Sequence, residues 1–218
     1  MTAAPDTLPP EIELALAYTP ADLRPLLQTL FALDQRLSRI VAATTEPMLG
    51  QMRLAWWRDM LAASADDRPS GDVVLDLIGK HWDGRESALS DMVDGWEILI
   101  VAEKLDRQQL TEFARLRSAP FAAILRAQQK EPRSRAEHAA MLWALADTAS
   151  RISDDEERSA VLKCAASLER RPGKLPKTLR GIAVLEALAK RALSAGGRPL
   201  MEGRGASIAA LRAGMLGR

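Results

Sequence analysis

Residues 22–45 read DLRPLLQTLFALDQRLSRIVAATT, and the apolar side chains of this stretch recur every three or four positions. The recurring positions are Leu23, Leu26, Leu27, Leu30, Leu33, Leu37, Ile40 and Val41. Such spacing is typical of an amphipathic helix that buries one face. The predicted N-cap is Thr19 or Asp22, and Pro25 falls in the first turn, where its missing N–H costs little. The stretch therefore predicts a long helix that ends by Thr45.

The rest of the chain has the same helical character. Ala and Leu dominate, β-branched and aromatic residues are sparse, and no alternating strand pattern persists over the 218 residues. We therefore expect an all-α protein, a single helical bundle of about eight to ten helices that covers residues 1–218. Residues 1–18 are expected to form a peripheral N-terminal segment. Residues 172–218 are expected to form the C-terminal helices after a linker at Leu175 and Pro176.

The composition excludes several classes of protein. Thirty basic and 29 acidic residues give a net charge of +1, which is too small to attract nucleic acid. The single cysteine, Cys164, excludes a disulfide framework and a thiolate zinc site, and we expect it to be a buried apolar residue. A lone thiol is typical of a reducing compartment, so a cytoplasmic protein is expected. No apolar run approaches the roughly 20 residues of a transmembrane segment, and the N-terminus lacks the features of a secretory signal.

A second helix is predicted to open at Pro47, where proline suits the first turn. Its apolar positions are Met48, Leu49, Met52, Trp56, Met60 and Leu61. The core is predicted to contain Leu30, Leu33, Leu37, Met52, Trp56, Leu142 and Leu145. Arg53 lies within this apolar helix, and a guanidinium there needs a partner. We therefore predict that Arg53 pairs with Glu46 or Glu97.

Two further helix starts are predicted from capping boxes, in which a hydroxyl at the N-cap is followed three residues later by a carboxylate. They are Ser134 with Glu137, and Ser153 with Glu156. The second box adjoins an acidic run that includes Asp154 and Asp155. These carboxylates would suit Mg²⁺ if they faced a cavity, but acidic residues are also favoured in a first turn by the helix dipole alone. Asp154 and Asp155 are therefore weak candidates for a metal site.

The stretch LFALDQRLSRIVAATTEPMLGQMRLAWWRDML, residues 30–61, resembles the opening helices of the squalene/phytoene synthase family. Its motif EPxxGxxRxxWW is similar to that of the subgroup containing the complex I assembly factor related to phytoene synthase. The motif residues are Glu46, Pro47, Gly50, Arg53, Trp56 and Trp57. Weaker similarity runs through most of the chain. The resemblance implies the all-α isoprenoid synthase fold.

Active members of that family hold Mg²⁺ and prenyl diphosphates between two aspartate-rich helices, and the resemblance implies where those helices fall in this chain. The first aspartate-rich segment matches residues 38–42, which are Ser, Arg, Ile, Val and Ala and carry no carboxylate. The second keeps Arg151 and later acidic positions at Asp155 and Glu156. Hydroxyl, guanidinium and methyl groups do not replace carboxylates as ligands of a hard cation. The ionisation step of prenyl transfer is therefore expected to fail.

Two functions are compatible with these observations. The first is a catalytically degenerate protein that needs no cofactor and acts in binding or assembly, as the assembly-factor resemblance implies. Its expected partners are a protein of a membrane respiratory complex, which would place the chain peripherally at the inner membrane, and a prenyl or lipid ligand. The alternative is a Mg²⁺-dependent prenyl-diphosphate transferase with unusual metal ligands. Both leave open whether a central cavity is open or filled by side chains.

The candidate residues of a pocket or diphosphate site are the same under both functions. They are Arg53, Trp57, Asp147 and Arg151. Under the alternative, Asp147, Asp154 and Asp155 would hold the metal, while Arg53 and Arg151 would hold the diphosphate.

Overall fold

The computed structural model describes residues 7–125, 130–168 and 173–217. These residues form ten α-helices and no β-strand, which confirms the all-α prediction. The helices are α1 (Pro10–Ala17), α2 (Arg24–Ala42), α3 (Pro47–Ala62), α4 (Val73–His81), α5 (Glu86–Val101), α6 (Arg107–Ala123), α7 (Lys130–Arg151), α8 (Asp155–Ser167), α9 (Arg180–Ser194) and α10 (Gly205–Leu216). Short 3₁₀ helices follow α3 and precede α9, at Ala65–Asp67 and Lys177–Leu179. Across the described ranges, no helix is both long enough and apolar enough to cross a bilayer.

The start of α2 differs from the prediction. Pro25 does lie in the first turn, but the N-cap is Leu23, which makes no side-chain cap. The Thr19 hydroxyl instead donates to the Ala15 carbonyl, 2.9 Å away, at the end of α1. The predicted caps at Thr19 and Asp22 are therefore wrong, because the connection between α1 and α2 uses Thr19 to end the earlier helix.

The two predicted capping boxes are also wrong. Ser134 lies inside α7, which is already helical at Lys130. The N-cap of α8 is Asp154, one residue after Ser153, and its carboxylate accepts from the Glu157 backbone N–H at 2.9 Å. A carboxylate at this position also interacts with the positive end of the helix dipole, which favours it over the hydroxyl.

The helices pack in a series that runs through the bundle. α3 lies against α5, α5 against α6, α6 against α7, α7 against α9, and α9 against α10. α2 packs on α5 and α3, α4 packs on α2, and α8 packs on α7 and α6. α1 packs on α9, where Gly181 lies so close to the Ala15 carbonyl that a Cβ would collide with it. α3 and α10 are thus the two ends of the series.

The apolar core is largely the predicted one. Leu30, Leu33, Leu37 and Leu142 are buried in one main cluster, which confirms those four assignments. Leu145 is also buried, but it belongs to a second cluster under α8. That cluster contains Leu110, Ala114, Leu145, Ala149, Val161, Cys164 and Ala165. Cys164 is buried as expected, and its sulfur lies 3.4 Å from the Thr111 hydroxyl.

The orientation of α3 overturns part of the predicted core. Met52 and Trp56 are 63% and 40% exposed, so neither is a core residue. The buried face consists of Gly50, Leu54, Trp57 and Leu61. This face is selected because Gly50 permits close approach: a Cβ there would lie 2.8 Å from Ile100 Cδ1 on α5.

We expect Leu33→Ala to destabilise the protein by about 2 to 5 kcal/mol, because Leu33 is fully buried in the main cluster. Met52→Ala on the neighbouring helix is the matched control, and it should cost less than about half a kcal/mol because Met52 is exposed. Chemical denaturation of both variants measures the two free energies of unfolding. Similar small losses in both variants would contradict the burial of Leu33.

Candidate functional site

A buried ion-pair network lies at the centre of the bundle. Arg117 on α6 is 1% exposed and stands between Asp34 on α2 and Asp147 on α7. Its Nε and Nη2 donate to the two carboxylate oxygens of Asp34, at 2.8 and 2.7 Å. Nη2 also donates to Asp147 Oδ2 at 2.8 Å, and Nη1 donates to the Ala144 carbonyl at 3.3 Å. One guanidinium therefore bridges two facing carboxylates.

Aromatic rings enclose this guanidinium. Its Cζ lies 4.5 Å from the ring centroid of Trp96 and 4.5 Å from that of Trp143. Cations bind favourably to the faces of such rings, and more strongly where water is excluded. Trp96 also donates its indole N–H to Asp34 Oδ1 at 2.9 Å. The site is a desolvated charge cluster in which Arg117, Asp34 and Asp147 are all paired.

The pKa shifts follow from burial and from the neighbouring charges. Burial lowers the pKa of Arg117, but Asp34 and Asp147 outweigh this effect and raise the pKa above its ordinary value. Burial raises the pKa of Asp147, but Arg117 and Arg151 outweigh this effect and hold the pKa below its ordinary value. Both groups are therefore charged at neutral pH.

The network reaches the surface through Arg151. Its Nε donates to Asp147 Oδ1 at 3.0 Å, and its side chain is half exposed. Glu11 on α1 lies close enough for its charge to interact with both residues: burial raises the pKa of Glu11, and the charge of Asp147 adds to that rise. Two of the candidate site residues, Asp147 and Arg151, are thus in direct contact.

The structure places the other two pocket candidates apart from this network. Trp57 is buried on the inner face of α3, with its ring edge-to-face against Trp56 at 5.2 Å. Arg53 is exposed, and it makes no hydrogen bond or ion pair with any residue that the structure describes. The predicted pairing of Arg53 with Glu46 or Glu97 is therefore wrong. Glu97 is bound instead by Arg58, which lies on the side of α3 that faces α5.

The acidic residues at the start of α8 line an open groove of about 700 Å³. Asp154 caps the helix, and Asp155 is exposed and paired with Arg158 at 2.8 Å. Lys104 and Lys163 line the same groove, so its charge is mixed. The geometry of these carboxylates is that of an ordinary helix N-terminus.

The residues present do not fit a Mg²⁺ cluster of the kind that the resemblance implies. In the described parts of the chain, no group of three or more His, Cys, Asp and Glu side chains is placed to hold a metal ion. Asp34 and Asp147, which do face each other, already give their oxygens to Arg117. Residues 38–42 supply no carboxylate to the same helix.

Sequence reasoning missed Asp34, Trp96 and Arg117, although a signal was present. Asp34 lies among the leucines of the buried stripe of α2, and Arg117 lies four residues from both Phe113 and Phe121 on α6. A charged residue on an apolar helix face needs a buried partner of opposite charge. The sequence therefore indicates that Asp34 and Arg117, which have opposite charges and lie on different helices, form an ion pair.

No family model, curated protein or solved structure matches the chain. The resemblance to the squalene/phytoene synthase family thus stays an expectation that rests on the motif in residues 30–61.

We expect Arg117→Met to destabilise the protein by about 3 to 5 kcal/mol at neutral pH, because it leaves the buried Asp34 without a counter-ion and Asp147 with the half-exposed Arg151 alone. Buried and unpaired carboxylates have raised pKa values in the folded state. The penalty is therefore present at neutral pH and shrinks as the pH falls towards the ordinary carboxyl pKa of about 4. Denaturation at several pH values, each compared with wild type, measures both effects.

The matched control is Arg115→Met, two residues away on the same helix. Arg115 pairs with Glu112 at the surface, where an ion pair contributes less than about 1 kcal/mol. Its loss should be small at neutral pH, and it should shrink further on acidification because Arg115 holds the pKa of Glu112 below its ordinary value. Equal losses in the two variants, with the same pH dependence, would contradict the central role of Arg117.

Proposed function

We propose that this chain is a catalytically degenerate relative of the squalene/phytoene synthases and acts as a binding or assembly protein. The observation that carries the proposal is the position of Arg117 between the carboxylates of Asp34 and Asp147. In the enzymes that the chain resembles, facing carboxylates hold divalent ions that stabilise the charge on the leaving pyrophosphate. Here the protonated guanidinium of Arg117 bridges the two facing carboxylates, and Arg151 supplies the second positive charge at Asp147. Asp34 and Asp147 are therefore already paired inside the bundle.

A second observation supports binding: α3 exposes an apolar face. Its outward side chains are Met48, Leu49, Met52 and Trp56. They lie in the same EPxxGxxRxxWW stretch that carries the resemblance. Methionine side chains adapt to the shape of a partner, and tryptophan is a frequent anchor of protein interfaces. We name this surface the α3 face.

The charges around the α3 face favour another protein as its occupant. Glu46, Arg53 and Asp59 are exposed next to it, so both signs are present. Charges of both signs around an apolar centre are typical of protein–protein interfaces. A surface that binds anionic lipid carries basic residues without acidic ones, because the lipid headgroups attract only positive charge. The proposed occupant is a protein segment with apolar side chains flanked by charges of both signs. Assembly of a membrane respiratory complex, with the chain peripheral at the inner membrane, is the specific role that the resemblance implies.

We expect the purified protein to release no pyrophosphate above background from farnesyl or geranylgeranyl diphosphate with Mg²⁺. The reason is that Arg117 occupies Asp34 and Asp147, and residues 38–42 offer no further carboxylate. A turnover assay with radiolabelled substrate measures the product directly. A C30 or C40 product that is lost on mutating Asp154 and Asp155 to Asn would overturn the proposal in favour of the transferase.

We expect a photo-crosslinker at Met52, in the full chain in its own cells, to attach to one specific protein. That protein, once identified and purified, should bind the wild-type chain in solution. Serine at both Met48 and Met52 should weaken this binding at least about tenfold, since each buried side chain contributes on the order of 1 kcal/mol or more. Calorimetry with the purified partner measures the affinity.

The matched control carries serine at both Ile208 and Leu211, two exposed apolar residues of α10. It should bind the partner as tightly as wild type. Equal weakening by both double variants, or no binding of the purified partner, would contradict docking on the α3 face.

A further inference from the structure

Helix α10 has its small residues inside and its large residues outside. The buried side of α10, which packs on α9, consists of Ala206, Ala210, Ala213 and Gly214. Gly214 lies against the Tyr18 ring, where a larger residue would collide. A helix of a water-exposed bundle normally shows the reverse arrangement. The inward side of α10 therefore anchors the helix by close approach rather than by large side chains.

The outward side of α10 is apolar. Ile208, Leu211 and Met215 are 62%, 51% and 66% exposed, and their three- and four-residue spacing places them on one stripe. Leu216 is exposed beside them. Large apolar side chains that are exposed side by side are typical of interaction surfaces.

The charge on this stripe is of one sign. Gly205–Leu216 contains no Asp or Glu, and its basic residue, Arg212, is exposed beside Ile208. Arg204 is exposed at the N-terminal end of the helix. Neither guanidinium makes an ion pair or a hydrogen bond within the described ranges. Glu202, the acidic residue nearest in sequence, pairs with Arg198.

We infer that the outward side of α10 is a docking surface for an anionic lipid bilayer. The apolar stripe would enter the boundary between headgroups and acyl chains, while Arg204 and Arg212 extend to the lipid phosphates. The absence of carboxylates from α10 distinguishes it from the α3 face, where both signs of charge occur. A second copy is a poorer occupant, because a symmetric contact would bring the same cations together. The inference names the surface by which the chain would lie peripherally at a membrane, and it does not depend on the assembly role, since an enzyme could carry the same surface.

Vesicle co-sedimentation tests the inference with the full chain. The probes are vesicles of phosphatidylcholine alone and vesicles of phosphatidylcholine and phosphatidylglycerol in equal amounts. The chain should bind the mixed vesicles, and binding should fall as salt is raised because the attraction is screened. Arg204→Gln and Arg212→Gln should each weaken binding about fivefold. Serine at both Ile208 and Leu211 should abolish it.

The matched control carries serine at both Met48 and Met52, which removes two exposed apolar side chains from the other end of the helix series. It should bind mixed vesicles like wild type, and circular dichroism should show native helix content in every variant. Four results would overturn the inference: no binding to mixed vesicles, equal binding to neutral vesicles, equal loss in the control, or a dimer that the Ile208 and Leu211 changes dissociate while vesicles stay unbound. None of them depends on whether the chain turns over prenyl diphosphates.

Discussion

The guanidinium of Arg117 joins parts of the chain that are far apart in sequence. It connects α6 to Asp34 on α2 and to Asp147 on α7, while Trp96 adds α5 through its hydrogen bond to Asp34. Because these charges are withdrawn from water, each is tolerated only while the others are present. Apolar packing alone allows helices to rotate and slide, whereas this network requires one arrangement. Four helices are therefore fixed around one polar centre.

The same arrangement sets what remains available for function. The facing carboxylates are paired with Arg117 inside the bundle, and the two surfaces proposed for binding lie on its outside. The α3 face and the outward side of α10 both belong to helices at the ends of the packing series. They differ in charge, since one is flanked by both signs and the other by arginines alone. The two proposed occupants, a protein segment and an anionic bilayer, would therefore bind at different ends of the series.

Much of the fold could be predicted from the local sequence pattern, and the predictions failed where that pattern left two helix faces possible. The leucines of α2 lie on a single face, so their burial was unambiguous. α3 has apolar residues on two faces, and periodicity alone cannot choose between Leu54 and Trp57 on one side and Met52 and Trp56 on the other. Gly50 and Arg58 decide the choice through α5, which is tertiary information. The site shows the same limit: Arg53 was predicted to pair with Glu46 or Glu97, whereas Glu97 is bound by Arg58, because packing decides which side of α3 faces α5.

The contact between α1 and α9 has a consequence for how the chain reaches this structure. Ile12 and Leu16 are buried, and the helix that carries them lies chiefly on α9, near the other end of the sequence. Contacts between distant segments form late, because the intervening chain has to be made and ordered first. During synthesis α1 therefore stays without its main partner until α9 has left the ribosome. In that interval the apolar side of α1 is exposed to water, which makes the unfinished chain more prone to aggregate.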